Sequence, residues 1–297
     1  MRDYLNLAVT VLIALAALAV VPASGQSSSA QVPDGKVYVY KNSDDLVREM
    51  EVYFPKDHDQ AEEPVPGVIM FHGGGWTGGK RQQFQYVCHY LASRGLVAAT
   101  VTYKFSPKKY DGPGSGKRIC ITDAKSAIRW FKQNAEQLGI DPQRVIAGGG
   151  SAGGHISLLA TTNPGLNDTQ DPAEIDTSVA AYLLFNPAFA LSDSQDPEVD
   201  FLKHLNSNLK PAIFFFGSKD KKWLEGWGSV HEKLKSLGSN SHEYWFAENQ
   251  KHGFFNKQPW AEITAAACDK FLSKLGLIEG EPTFQSTKDG AELVEQP

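Results

Sequence analysis

Five short apolar runs constrain the fold of this chain more than any other feature of its sequence. They occupy residues 67–71, 96–101, 145–147, 179–185 and 212–216. Runs this short and this continuously apolar fit strands that are buried on both faces of a parallel sheet. Segments with helical spacing of apolar residues separate them, and this alternation predicts a three-layer α/β sandwich.

The remaining elements complete that prediction. Two partly alternating strands come first, at 37–40 and 48–54, and are expected to be antiparallel, while a last strand is expected at 242–246. The sheet is therefore mostly parallel, with about eight strands. Helices are predicted at 82–94, 123–138, 152–161, 222–237 and 261–275. The insertion between residues 185 and 211 is only about one helix long, which predicts little or no lid.

Composition limits the class of protein. The 297 residues are 41% hydrophobic and 21% charged, an ordinary globular balance that would suit one domain or two. No internal repeat, low-complexity segment or linker interrupts residues 31–277, so one domain is expected at 36–278. The net charge is −5 with no block of like charge, so nothing indicates a nucleic-acid partner. Spacing leaves a Cys88–Cys120 disulfide conceivable, but Cys88, Cys120 and Cys268 are better interpreted as small buried apolar residues. Their spacing does not suit a metal site.

The two ends of the chain differ in composition from its middle. An apolar run at 7–21 follows Arg2, and Ala23 and Gly25 are small enough for signal-peptidase cleavage before Gln26. We therefore expect a signal peptide at 1–25, a flexible segment at 26–35 and an exported protein, periplasmic or secreted, without stable membrane insertion after cleavage. The alternative is an uncleaved anchor. Residues 279–297 are polar and are expected to form a tail.

One serine lies within a dense run of glycine and alanine, AGGGSAGGH at 147–155. Glycine in or beside a strand loses conformational entropy and packs no side chain, so such a run needs a reason. Gly149, Ser151 and Gly153 form a G-x-S-x-G motif between a predicted strand and a predicted helix. In that setting the motif predicts a nucleophile elbow, a strained turn that raises the serine Oγ above the sheet. The alternative is an ordinary glycine-rich turn.

A second glycine run, HGGGW at 72–76, directly follows the strand predicted at 67–71. Successive glycines after a strand can direct several backbone N–H groups at one point. The N–H groups of Gly74 and Gly75, together with that of Ala152, are candidates for an oxyanion hole. A flexible loop is the alternative interpretation.

A serine nucleophile needs a base, and a histidine base needs an acid that orients it. Of the eight histidines, His252 alone follows a predicted strand and precedes the final helix, at the sheet edge that the elbow faces. Asp220 follows the strand at 212–216, which gives the order Ser, Asp, His. Three rivals for the acid follow the preceding strand: Asp193, Asp196 and Asp200.

From about residue 65 to residue 275 the sequence resembles the α/β-hydrolase serine esterases. Within them it is most similar to the group with an HGGGW oxyanion loop, related to hormone-sensitive lipase and to the feruloyl and acetyl esterases of gut and environmental bacteria. The resemblance rests on 72–76, on 123–155, on GSKD at 217–220 and on KHGF at 251–254. Gly150 occupies the place where the lipase-like branch usually has Asp, which favours the carbohydrate-esterase-like branch.

The resemblance implies hydrolysis of a carboxylic ester without a cofactor or metal. It implies Ser151 as nucleophile, His252 as base, Asp220 as acid and the backbone of Gly74, Gly75 and Ala152 as oxyanion donors. Candidates for the wall of the substrate pocket are Trp76, Asn186 and Phe254, although structural residues would have the same pattern. The substrate is expected to be an acetyl or feruloyl-type ester, either a small molecule or a polysaccharide. Alternatives are a general short-chain carboxylesterase, a serine peptidase and a non-catalytic binding protein of this fold.

Overall fold

The computed structural model describes residues 34–43, 46–107, 114–238, 241–283 and 291–296. The predicted signal peptide at 1–25 and its cleavage site lie outside the described residues. Within those ranges, no helix combines the length and apolarity that spanning a membrane would require.

The described residues form a single nine-stranded sheet with the strand order β1-β2-β4-β3-β5-β6-β7-β8-β9. The strands are β1 Lys36–Ser43, β2 Leu46–Tyr53, β3 Val65–Phe71, β4 Val97–Val101, β5 Ile140–Gly150, β6 Ala181–Phe185, β7 Ala212–Gly217, β8 His242–Ala247 and β9 Leu293–Glu295. The six strands from β4 to β8 in this order run parallel, and antiparallel pairs close both sides of the sheet. The carboxyl ends of the parallel strands therefore meet at one edge, which is where α/β sheets bind their ligands.

Helices cover both faces of the sheet, so the predicted three-layer sandwich is confirmed. The helices are α1 Gln85–Ser93, α2 Lys117–Gln133, α3 Ala135–Leu138, α4 Ala152–Thr162, α5 Phe201–His204, α6 Lys221–Ser236 and α7 Trp260–Lys274. Buried side chains of α2, α4 and α6 form one core cluster with the sheet, and those of α1 and α7 form the other. Between β6 and β7 the chain holds only α5 and a short 3₁₀ turn, Leu191–Gln195, which leaves little material for a lid.

Strand β3 shows why the buried strands read as continuous apolar runs. Ile69 and Phe71 belong to the core cluster on one face, whereas Val68 and Met70 belong to the cluster on the other. Successive side chains of a strand point to opposite faces, so a strand covered on both sides must be apolar at every position.

Two elements extend further than the sequence predicted. Strand β5 runs from Ile140 to Gly150, because its backbone pairs with β3 and β6 up to the glycines that were read as part of the turn. Helix α2 begins at Lys117 rather than at 123, since Cys120 and Ile121 continue its buried face. It ends at Gln133, and the last turn of the predicted helix is the separate helix α3.

The polar tail expected at 279–297 also contributes to the sheet. Leu293–Glu295 pairs with β8 in the antiparallel direction and adds a ninth strand. The outer side of β8 would otherwise present unpaired backbone groups, which proteins commonly cover.

All three cysteines are buried and free, so the conceivable Cys88–Cys120 disulfide is not formed. Burial raises the pKa of each thiol, to about 12 for Cys120, which keeps these groups in the apolar, protonated form.

A buried ion pair fastens the β1–β2 hairpin to α2. The carboxylate of Asp123 accepts hydrogen bonds from Arg48 Nε at 2.7 Å, Lys41 Nζ at 3.1 Å and the Lys104 N–H at 2.8 Å. Asp123 and Arg48 are each only 2% exposed. Removing one partner of such a pair leaves an uncompensated buried charge, whose free-energy cost is much larger than the net gain from the intact pair.

We therefore expect Asp123→Asn to lower the free energy of unfolding by about 3–5 kcal/mol. The control is Lys274→Ala, which removes a pair with Glu243 in which the lysine is half exposed; it should change stability by less than about 1 kcal/mol. Urea unfolding followed by circular dichroism measures both. Equal losses in the two variants would contradict the role given to Asp123.

Candidate active site

Ser151 lies on the sharp turn between β5 and α4. Its φ is 53° and its ψ is −121°, a region that residues other than glycine rarely adopt. The turn is held because the Ser151 N–H donates to the Phe185 carbonyl at 2.9 Å and its own carbonyl accepts from Ala188 N at 3.0 Å. The Ser151 hydroxyl therefore stands at the carboxyl edge of the sheet.

The glycines around Ser151 are required by close backbone contact. A Cβ atom on Gly153 would lie 2.0 Å from the carbonyl oxygen of Phe71, and one on Gly149 would lie 2.4 Å from the same oxygen. Both distances are far inside van der Waals contact. Helix α4 can begin this close to the end of β3 only because these two positions have no side chain.

His252 connects Ser151 to Asp220. Its Nε2 lies 2.7 Å from Ser151 Oγ, and its Nδ1 lies 2.6 Å from Asp220 Oδ2. An ionised carboxylate can only accept, so Nδ1 carries the ring proton and Nε2 is free to accept the hydroxyl proton of Ser151. The structure thus brings together three side chains that the sequence predicted to be neighbours.

The loops that carry Asp220 and His252 approach each other at Gly217, the last residue of β7. A Cβ atom at this position would lie 2.6 Å from the Gln250 carbonyl oxygen. The Lys219 N–H donates to that same oxygen at 2.8 Å. The loop after β8 is therefore fastened to the loop after β7, which fixes the distance between the two side chains.

The three rival carboxylates do not reach His252. Asp193 pairs with Lys117, Asp196 pairs with Arg118 at 2.5 Å, and Asp200 accepts from the Leu202 N–H at the start of α5. Each has a structural partner away from the serine, which leaves Asp220 as the carboxylate at the base.

The HGGGW loop passes directly beside the serine. A Cβ atom on Gly73 would be 3.1 Å from Ser151 Cβ, and Gly74 and Gly75 have φ angles of 127° and 62°. The Gly73 N–H is used internally, donating to Gln83 Oε1 at 2.6 Å. Gly74 and Gly75 both line the cleft that holds Ser151, and the N–H group of Ala152 is the first of α4 and has no partner within the helix.

His72 fixes the start of this loop. Its Nδ1 donates to the Gly73 carbonyl at 2.7 Å, its ring stacks on Tyr103, and the Tyr103 hydroxyl donates to the His72 carbonyl at 2.7 Å. Burial lowers the pKa of His72, so the ring stays neutral at neutral pH. His72 is therefore a structural anchor of the glycine loop.

The cleft above Ser151 has two lobes. One, of about 300 Å³, is lined by Ser151, His252, Gly74 and Phe255, and the other, of about 460 Å³, lies on the far side of Gly75. Trp223 and Gly75 line both lobes. Trp223 stands 5.7 Å from the ring of His252, measured between centroids. Sequence reasoning missed Trp223, although its place three residues after Asp220 in the first turn of α6 was a usable signal.

Two of the three predicted pocket-wall residues need correction. Asn186 is fully buried, and its amide nitrogen lies 2.5 Å from Asp220 Oδ2, so it stands behind the Ser–His–Asp group rather than in the cleft. Phe254 is 3% exposed and packs edge-on against Trp260, while its neighbour Phe255 lines the cleft. Trp76 does line the larger lobe.

Among the described residues, no group of three or more His, Cys, Asp or Glu side chains is arranged to hold a metal ion. The strand–serine–helix elbow, the Ser, Asp, His order and the mostly parallel sheet together define an α/β-hydrolase. Its chemical groups are those of the serine esterases.

The comparisons with known proteins place the chain within this class. The BD-FAE family model matches residues 50–221, which is more than half of the sequence, and the chain belongs to that family. Esterase LipC of Mycobacterium tuberculosis is 33% identical over 243 residues, covering 71% of this chain and 58% of LipC. Arylacetamide deacetylase of Bos taurus is 33% identical over 227 residues, covering 75% of this chain and 50% of the relative. The chain thus spans about half the length of these curated relatives.

Solved structures cover the chain more completely. Esterase 2 of Thermogutta terrifontis with propionate bound has a TM-score of 0.75 and 31% identity, covering 84% of this chain and 97% of that one. The same esterase phosphorylated by paraoxon has a TM-score of 0.75 and 32% identity, with the same coverage. These likenesses confirm the α/β-hydrolase fold.

The contact at Phe71 yields a stability prediction. We expect Gly153→Ala to lower the free energy of unfolding by about 1–3 kcal/mol, because the added methyl group must displace the β3 backbone. The control is Gly228→Ala in α6, where a Cβ atom meets nothing within 4 Å; helix propensity predicts a gain of up to about 1 kcal/mol. Thermal unfolding of both variants measures the difference, and a Gly153→Ala protein as stable as wild type would refute the close-contact argument.

Proposed function

We propose that this protein is a serine hydrolase of carboxylic esters. The observation that carries the proposal is the continuous hydrogen-bonded series from Ser151 through His252 to Asp220, with distances of 2.7 and 2.6 Å. The family match and the esterase neighbours support it.

The geometry supports a two-step acyl transfer. Ser151 Oγ attacks the ester carbonyl while His252 Nε2 takes its proton, and Asp220 stabilises the imidazolium that forms. The developing oxyanion would accept hydrogen bonds from the N–H groups of Gly74, Gly75 and Ala152. His252 then gives the proton to the leaving alcohol. In the second step water attacks the acyl-enzyme while His252 takes its proton, and His252 returns that proton to Ser151 Oγ as the carboxylic acid leaves.

For the substrate, we propose an acetyl or feruloyl-type ester of a carbohydrate. The sequence features that favour the carbohydrate-esterase-like branch support this choice, as does a cleft with little lid, which a bulky polymer could approach. The second lobe combines the indole rings of Trp76 and Trp223 with the hydroxyls of Thr77, Ser106 and Ser192. Such a surface offers both apolar faces and hydrogen-bonding groups to a sugar or a phenolic acyl group.

A general short-chain carboxylesterase is the second candidate. It is favoured by the solved structures of the Thermogutta esterase with propionate and with butyrate bound. The two candidates are separated by assaying acetyl, butyryl and octanoyl nitrophenyl esters beside acetylated xylan and methyl ferulate. The carbohydrate-ester proposal expects turnover of acetylated xylan or methyl ferulate with kcat/KM no lower than that of nitrophenyl butyrate. Activity on the short nitrophenyl esters alone would favour the second candidate.

The nucleophile is tested by Ser151→Ala, which we expect to lower kcat by at least about 10⁴-fold while the protein stays folded. Paraoxon should add one diethylphosphoryl group per chain to the wild type and none to Ser151→Ala, as measured by intact-protein mass. Ser236→Ala, on the exposed face of α6, is the control and should behave as wild type. A protein that neither turns over esters nor reacts with paraoxon would instead support a non-catalytic binding protein.

We also propose that the protein acts outside the cytoplasm. The apolar run at 7–21 followed by small residues at 23 and 25 supports export with cleavage near Gln26. N-terminal sequencing of protein recovered from the periplasm or medium should give a start near Gln26. Membrane-bound enzyme with Met1 intact would contradict cleavage, and activity confined to the cytosol would contradict export.

A further inference from the structure

Asn186 occupies a constrained position at the carboxyl end of β6. Its side chain is fully buried and its φ is 50°, in the left-handed region that an asparagine tolerates better than most residues. The Asn186 N–H donates to the Phe215 carbonyl at 2.6 Å, and its Oδ1 accepts from the Gly217 N–H at 2.8 Å. Both contacts are to β7, so the ends of the two strands are tied together through this one residue.

The contact with Gly217 determines which way the amide faces. Because the Gly217 backbone group is a donor, the side-chain oxygen must face it, and Nδ2 must face the other way. Nδ2 lies 2.5 Å from Asp220 Oδ2 and 2.8 Å from His252 Nδ1. His252 Nδ1 also donates to Asp220 Oδ2. Asn186 Nδ2 and His252 Nδ1 therefore lie close together because both donate to the same carboxylate oxygen.

We propose that Asn186 is a positioning residue that orients Asp220 toward His252, and that the end of β6 is a second position from which a carboxylate can serve this base. The inference rests on the proposed function, because it concerns the same Ser–His–Asp group. Asp220 is 7% exposed, so little water can replace a donor that is lost. The amide supplies one of the two hydrogen bonds that Asp220 Oδ2 accepts from side chains, and the imidazole supplies the other.

A purely structural role would be limited to tying β6 to β7. That role depends on Oδ1 and on the backbone, not on Nδ2. The two roles can be separated because asparagine and aspartate have the same shape. Exchanging the two groups by Asn186→Asp with Asp220→Asn conserves the net charge and the atom count. The carboxylate would then stand at the end of β6, where an atom already lies 2.8 Å from His252 Nδ1, and the amide at 220 could donate to it.

The experiment compares wild type, Asp220→Asn, Asn186→Leu and the exchanged double variant on one nitrophenyl ester. Asp220→Asn should lower kcat by about 10⁴-fold, because the base loses the acceptor that holds its tautomer. Asn186→Leu should lower kcat by about 10- to 100-fold with little change in KM, since Asn186 lies behind the triad and does not touch substrate. The double variant should recover at least about 100-fold over Asp220→Asn.

Recovery is a result that a structural role does not produce. Asn186→Leu can also lose activity by unfolding, so its melting temperature is measured. The activity of the isosteric double variant is therefore the deciding measurement. If the wild type is active and the folded double variant is no more active than Asp220→Asn, this proposal alone is overturned. A wild type without activity on any ester and without reaction with paraoxon overturns this proposal together with the proposed function.

Discussion

The carbonyl oxygen of Phe71 limits how the whole site can be built, because helix α4 begins directly against it. Any side chain at Gly149 or Gly153 would overlap this region of the β3 backbone. Because glycine has no side chain at either position, α4 can start at the carboxyl edge of the sheet, and Ser151 takes a φ of 53° between strand and helix. The strain and the entropy lost at the glycines are offset by burial, since α4 is covered by α2, α5 and the sheet along most of its length.

A buried charged cluster holds the glycine loop relative to that helix. Lys117 of α2 lies 3.9 Å from the centroid of the Trp76 ring and pairs with Asp193, whose other oxygen is 3.3 Å from His155 Nε2 in α4. Cation–π and ionic contacts are strongest where water is excluded, and each of these four residues is at most 6% exposed. Burial lowers the pKa of His155, so the ring stays neutral beside Lys117. The oxyanion loop, the elbow helix and the β6–β7 insertion are thereby joined behind the cleft.

The sequence predicted the parts of this structure that depend on local pattern. Strands covered on both faces must be apolar at every position, so β3, β6 and β7 were visible as runs. The glycines of the elbow were visible because only a close backbone contact explains them. The sequence did not reveal β9, because edge pairing depends on residues far away in the chain. Trp223 was missed although its place just after Asp220 was a usable signal. Asn186 was singled out from the sequence but was assigned to the pocket wall. Its sequence neighbours do not predict on which side of Ser151, His252 and Asp220 it lies.

Chain order alone did not separate Asp220 from its rivals, because β6 and β7 are adjacent and both end near His252. Distance from the strand end makes the difference. Asp220 follows the last residue of β7 by three positions, whereas Asp193 follows the end of β6 by eight and turns toward Lys117. The residue directly after β6 is Asn186, and it does reach the base. A residue must therefore lie within a few positions of a strand end for its side chain to reach His252. This rule accounts for both Asp220 and Asn186.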